Sequence, residues 1–158
     1  MSTSKEGKLG VKDIHKLYRQ GQKIVSLTAY DACMAAVADD CNVDMLLVGD
    51  SVGMTMLGYP STVRVTLDQV LHHAAAVVRA NPRALVVGDM PFMTYQVSVE
   101  QAMSNAARFL QEAGVDAVKL EGGSSIAPVV ERLVAAGVPV LGHIGILPQS
   151  YMTEGYRV

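Results

Sequence analysis

Residues Glu112–Gly123, EAGVDAVKLEGG, decide the fold. Gly114 can take the left-handed conformation that closes a helix, and Val115 then opens an extended apolar run. The same junction returns at Ala136–Val138, ahead of VPVLGH. A helix, a glycine and a buried strand that repeat make a βα unit.

Outward from this stretch the alternation continues. IVSLTAYD (24–31) reads as a strand and DACMAAVADD (31–40) as a helix. NVDMLLVGD (42–50) is a second strand, followed by a glycine-rich loop and a helix through LDQVLHHAAAVVRAN (67–81). ALVVGDM (84–90) precedes a helix over SVEQAMSNAARFLQEAG (98–114); VDAVKLEGG precedes one in IAPVVERLVAAG (126–137), and VPVLGHIG (138–145) is a fifth strand. Strands this apolar need helices over them. VKDIHKLYRQGQ (11–22) predicts a short amphipathic helix whose Val11, Ile14 and Leu17 cover one end of the core.

Polar residues recur where the strands end: Asp31, Asp50 and Ser51, Asp89, Lys119 and Glu121, His143. In a βα barrel those ends converge on one mouth, whereas an open sheet uses a crevice at its switch point. The expectation is an α/β protein with a TIM-type (β/α)8 barrel, of which about five βα units are present. A complete barrel needs about 250 residues. Residues 1–10 read as a flexible tail, and 11–158 as the N-terminal portion of a single barrel domain.

The 158 residues are half apolar and carry a net charge of -2 with no basic run, so nucleic acid is not an expected partner. No segment is apolar over a membrane-spanning length, and the start MSTSKEGKLG lacks the apolar part of a secretion signal. Cys33 and Cys41 form neither a CxxC site nor a disulfide framework. The expectation is a reduced cytoplasmic protein with small buried thiols.

Lys119 and Glu121 stand two positions apart, so an extended backbone sends both to one face. Lys119 suits a carboxylate or oxyanion; Glu121 suits a metal or its water. Gly122 and Gly123 would let backbone approach a ligand. Asp50 and Asp89 each follow an apolar run and a glycine, and two carboxylates brought together repel unless a proton or cation intervenes. Their oxygens suit Mg²⁺, completed by substrate oxygens and water. Asp31 reads as a helix cap, and His72 and His73 diverge on their helix. His15 reads as surface or packing, while Tyr30 and Phe92 would shape the pocket or serve as ordinary core or loop anchors.

The segments TAYD, VGDSVGMTMLGYPST, GDMPFM, VKLEGG and PVLGHIGILPQS occur in this order. Together they resemble the N-terminal part of the 3-methyl-2-oxobutanoate hydroxymethyltransferase (ketopantoate hydroxymethyltransferase) family, from Ile24 to Val158. The resemblance implies a metal-dependent TIM barrel that uses 5,10-methylenetetrahydrofolate and 3-methyl-2-oxobutanoate to make 2-dehydropantoate, in pantothenate biosynthesis. It further implies that Asp50 and Asp89 are Mg²⁺ ligands and that Glu121 helps hold the metal's water shell. Ser51 and Lys119 would bind the oxo-acid carboxylate, and His143 would be the active-site histidine.

The chain stops after YMTEGYRV, before the last three strands expected of that barrel. By resemblance the C3-proton base lies on that portion, and Glu112, Glu131 and Glu154 do not replace it. An open sheet edge calls for cover, from another copy in a homo-oligomer or from a C-terminal barrel partner. Competing readings are a Mg²⁺-dependent carbon-carbon lyase acting on a 2-oxo acid and a noncatalytic subunit that completes a partner barrel.

Overall fold

The structure, a computed structural model, describes residues 7–150; residues 1–6 of the expected tail and Glu154 lie outside the described residues. Five strands, β1 (Ser26–Thr28), β2 (Met45–Val48), β3 (Leu85–Asp89), β4 (Ala117–Glu121) and β5 (Val140–His143), form one sheet. All four pairings are parallel and the strand order follows the chain. An order without reversal has no switch-point crevice. It is the wall of a (β/α) barrel, present in part, with α2 (Ala32–Asp40), α4 (Leu67–Arg79), α5 (Val99–Arg108) and α6 (Ala127–Ala135) connecting its strands.

Alternation within each strand separates two faces. Leu46 and Val48, Val86, and Val118 and Leu120 point outward and pack with Val70, Val77, Ala106, Phe109 and Leu133 of the helical layer. Leu85, Val87 and Ala117 form a smaller inner cluster with Met45, Leu47 and Leu141. Val11 and Ile14 of α1 (Val11–Arg19) pack against it, so α1 covers one end of the inner face. Ahead of α1, the Leu9 N–H donates to the Arg83 carbonyl, and Lys8 Nζ reaches the Ala84 carbonyl and Asp116.

Local chemistry sets the element ends. Asp31 Oδ1 accepts from the Met34 N–H at 2.7 Å and caps α2. Thr66 and Gln69 form a reciprocal capping box at α4, and Ser98 caps α5. Gly114 and Gly137 hold φ of 77° and 88°, the left-handed helix ends expected of the two AGV junctions.

Three local features depart from the sequence reading. The glycine-rich loop contains a short helix, α3 (Val52–Thr55). A π-helical turn, Phe109–Ala113, continues α5 and seats Phe109 on Gly88, where an added Cβ would lie 2.5 Å from Phe109 Cδ1. Cys33 and Cys41 are free but exposed rather than buried, because α2 turns Ala35 and Ala38 inward instead. Among the described residues no helix is long and apolar enough to cross a membrane.

Candidate functional site

Parallel strands end in one direction, so the residues that finish them meet. Asp89 closes β3, Lys119 and Glu121 lie in β4, His143 closes β5, and Asp50 and Ser51 follow β2. Strand register sets Asp89 beside Lys119 and Glu121 beside His143.

The contacts are close and largely buried. Lys119 Nζ donates to Asp89 Oδ1 at 2.7 Å and stands 3.8 Å from Glu121 Oε2. Asp89 Oδ2 accepts the backbone N–H of Asp50 at 3.1 Å. His143 Nδ1 lies 3.3 Å from Glu121 Oε2 without the alignment of a hydrogen bond, and both atoms are buried without a hydrogen-bond partner among the described residues. Asp50, Asp89, Glu121 and Lys119 are all buried. Burial pushes the Asp89 carboxyl up to about 7; Lys119 opposes that shift and the charge of Asp50 adds to it.

Among the described residues, the Lys119 ammonium faces the carboxylates of Asp89 and Glu121, and Asp50 adds a third acidic group beside Asp89. The donors are oxygen, acidic groups outnumber the ammonium, and one buried carboxylate oxygen makes no hydrogen bond among the described residues; each property fits a hard divalent cation. Among the described residues, however, no three His, Cys, Asp or Glu side chains group closely enough to hold a metal ion. Asp50, Asp89 and Glu121 thus make no ready-made cage, and a cation here would need oxygens from substrate and water.

Ser51 joins from the other side. Its Oγ is 2.6 Å from the Tyr30 hydroxyl, and the Tyr30 carbonyl is 2.7 Å from His73 Nδ1. Tyr30, expected to shape the pocket or to anchor core or loop, contacts a predicted site residue directly. Gly122 holds φ of 144°, and an added Cβ would lie 3.0 Å from Ile126, so the backbone and packing at this position themselves call for glycine.

Two residues of the cluster escaped the sequence reading. Gln149, buried in the turn Pro148–Ser150, donates its backbone N–H to Glu121 Oε1 at 2.6 Å and its amide to Asp50 Oδ2 at 3.0 Å. Tyr95 is buried, with its hydroxyl 2.8 Å from both Gln149 Oε1 and the Glu121 carbonyl. The available signal was position, since both follow strand ends whose other polar residues converge. His15 lies away from the cluster, along an apolar groove of about 380 Å³ on the α1 side of the inner face. His72 and His73 have nearly perpendicular rings.

The family model for ketopantoate hydroxymethyltransferase matches residues 8–158. The chain belongs to the ketopantoate hydroxymethyltransferase family. It is 54% identical over 152 residues to the 3-methyl-2-oxobutanoate hydroxymethyltransferase of Ignicoccus hospitalis, covering 96% of this chain and 57% of that protein. The enzyme of the same name from Thermoanaerobacter sp. is 52% identical over 154 residues, covering 97% and 56%. The chain spans about half the length of these relatives.

Solved structures agree on the fold. A 2,3-dimethylmalate lyase of the PEP mutase/isocitrate lyase superfamily aligns with a TM-score of 0.63 at 18% identity, covering 92% of this chain and 55% of that one. An oxaloacetate acetylhydrolase gives 0.63 at 17%, covering 96% and 57%.

Proposed function

We propose that this chain carries the oxo-acid and metal end of a 3-methyl-2-oxobutanoate hydroxymethyltransferase. The observation that carries the reading is the buried set of Asp50, Asp89, Lys119 and Glu121 at the strand ends of a chain from this family. The reaction joins C3 of 3-methyl-2-oxobutanoate to the one-carbon unit of 5,10-methylenetetrahydrofolate. With water consumed, it yields 2-dehydropantoate and tetrahydrofolate.

In this reading Asp50 and Asp89 hold Mg²⁺, and Glu121 fixes water beside it. Mg²⁺, when bound, stabilises the negative charge that develops on the keto oxygen as the C3 proton leaves. Lys119 and Ser51 receive the substrate carboxylate. Lys119 is suited to this because Asp89 already fixes its ammonium, so little side-chain freedom remains to be lost. Tyr30 orients the Ser51 hydroxyl, and His143 Nδ1, beside Glu121, offers a site for a proton at the rim. A single barrel domain preceded by a tail, a cytoplasmic location, and a homo-oligomer or C-terminal barrel partner belong to the same proposal.

Proton NMR of the purified protein in D₂O tests it, with 3-methyl-2-oxobutanoate, Mg²⁺ and the folate donor added in turn. Mg²⁺-dependent shifts of the 3-methyl-2-oxobutanoate signals are expected, abolished by Asp50→Asn, with C3 exchange and then 2-dehydropantoate appearing once a C-terminal barrel portion is supplied. Folate-independent cleavage of a 2-oxo acid would replace the reading with a lyase. Absence of substrate binding and turnover would leave an assembly subunit.

A further inference from the structure

We propose that Gln149 is a positioning residue of this site, a neutral brace that orients Asp50 and Glu121 toward a divalent cation. The inference rests on the reading of the carboxylate cluster as a cation and oxo-acid site.

Gln149 comes from the turn after β5, yet its contacts gather groups from the ends of β2, β3 and β4. Nε2 donates to Asp50 Oδ2 and to the Met90 carbonyl, each at 3.0 Å. Oε1 faces the Tyr95 hydroxyl at 2.8 Å and accepts from Gln96 Nε2 at 3.1 Å. The amide can take only this orientation. Flipped, it would set its oxygen against a carboxylate and a carbonyl, and its NH₂ against the Gln96 amide N–H donor.

Tyr95 reinforces the arrangement. Its hydroxyl accepts the Glu121 N–H at 3.2 Å and stands 2.8 Å from both the Gln149 amide oxygen and the Glu121 carbonyl, either of which can accept its proton. Burial raises the pKa of this phenol, so it remains a donor.

The consequence is a fixed choice of oxygens. Gln149 engages Asp50 Oδ2 through its side chain and Glu121 Oε1 through its backbone, while Glu121 Oε2 stays buried without a hydrogen bond among the described residues, facing Lys119 and His143. A fully buried amide that makes every one of its hydrogen bonds has little freedom to turn, so it aims what it holds. It also answers a charge problem. Lys or Arg here would add a second positive charge and compete with a cation, whereas a neutral donor separates the carboxylates and leaves their field intact.

The probe is Mn²⁺, titrated into the full chain with and without 3-methyl-2-oxobutanoate and followed by the EPR signal of the free ion. Gln149→Met keeps the length and apolar bulk and removes the amide. It is expected to weaken Mn²⁺ affinity about tenfold or more, the scale typical of residues that orient metal ligands. Circular dichroism and urea denaturation report separately on the fold. A folded Gln149→Met protein with affinity within about twofold of the parent overturns the proposal, because a purely structural glutamine would change urea stability and not affinity per folded molecule.

Gln149→Asn carries the same test if the Met variant does not fold. It keeps the backbone bond to Glu121 and withdraws the amide from Asp50 by one carbon, so a loss of about threefold or more is expected and unchanged affinity overturns the proposal. Asp50→Asn separates the two levels. If it too leaves Mn²⁺ binding unchanged, the cation-site reading fails; if it abolishes binding while both Gln149 variants retain it, only the role of Gln149 fails.

Discussion

Replacing Lys119 with Met removes the ammonium that sits among the carboxylates while keeping the length and most of the volume of the side chain. The lost contacts are the 2.7 Å bond to Asp89 and the 3.8 Å approach to Glu121, both made by buried groups. Removing one partner of a buried ion pair costs about 3–5 kcal/mol, because the other charge is left uncompensated. The loss has a ceiling. Without Lys119 the Asp89 carboxyl rises further and takes up a proton, so the penalty is held to the free energy of that protonation, about 1.4 kcal/mol at pH 8 for a carboxyl at about 7. For a chain of this size each kcal/mol lowers Tm by about 2–4 °C, so a fall of roughly 3–6 °C is expected at pH 8. At pH 5 the carboxyl, already pushed up to about 7, is largely protonated before the substitution, and the fall in Tm should be well under half that at pH 8. Differential scanning calorimetry of metal-free protein at the two pH values measures both. Equal falls at pH 5 and pH 8, or none at pH 8, would refute the electrostatic account of the cluster.

Gly88→Ala sets a Cβ 2.5 Å from Phe109 Cδ1 and should cost about 1–3 kcal/mol; in a double-mutant cycle by urea denaturation, Phe109→Leu should recover at least about 1 kcal/mol of it, and additivity would contradict the contact. The folded-state pKa of Asp89 lies above its ordinary 3.8, so the contribution of the protonated carboxyl is complete below about pH 4 and is lost as pH rises toward 7. Metal-free protein should lose up to about 4 kcal/mol across that window, and Asp89→Asn should flatten the slope in urea titrations run at each pH. Asp31→Ala removes the cap on Met34 and should cost about 1 kcal/mol by the same measurement, leaving ligand binding unchanged.

The repeating fold was legible because the burial of parallel strands leaves a direct trace, a Val- and Leu-rich run closed by glycine. The in-register neighbours Asp89 and Lys119 were legible for the same reason, each being the polar end of such a run. Gln149 left no comparable trace. It works from a loop with no periodicity, and its partners Asp50 and Tyr95 lie 99 and 54 positions away. Periodicity also missed the π turn at Phe109, because one extra residue per turn shifts a helix face without changing its composition. The exposure of Cys33 and Cys41 was misread because residue type sets only an average burial, and the side of α2 on which each falls decides the case.

The central claim is that Asp50 and Asp89 bind a cation together with the oxygens of an oxo acid. Calorimetric titration of Mg²⁺ into the purified protein, with and without saturating 3-methyl-2-oxobutanoate at matched ionic strength, tests it directly. The oxo acid should tighten Mg²⁺ by at least about tenfold, a coupling of about 1.4 kcal/mol, and the reverse titration should return the same factor. Asp50→Asn and Asp89→Asn should each remove the coupling. Mg²⁺ affinity that is indifferent to the oxo acid, or coupling that survives in both variants, would contradict the claim.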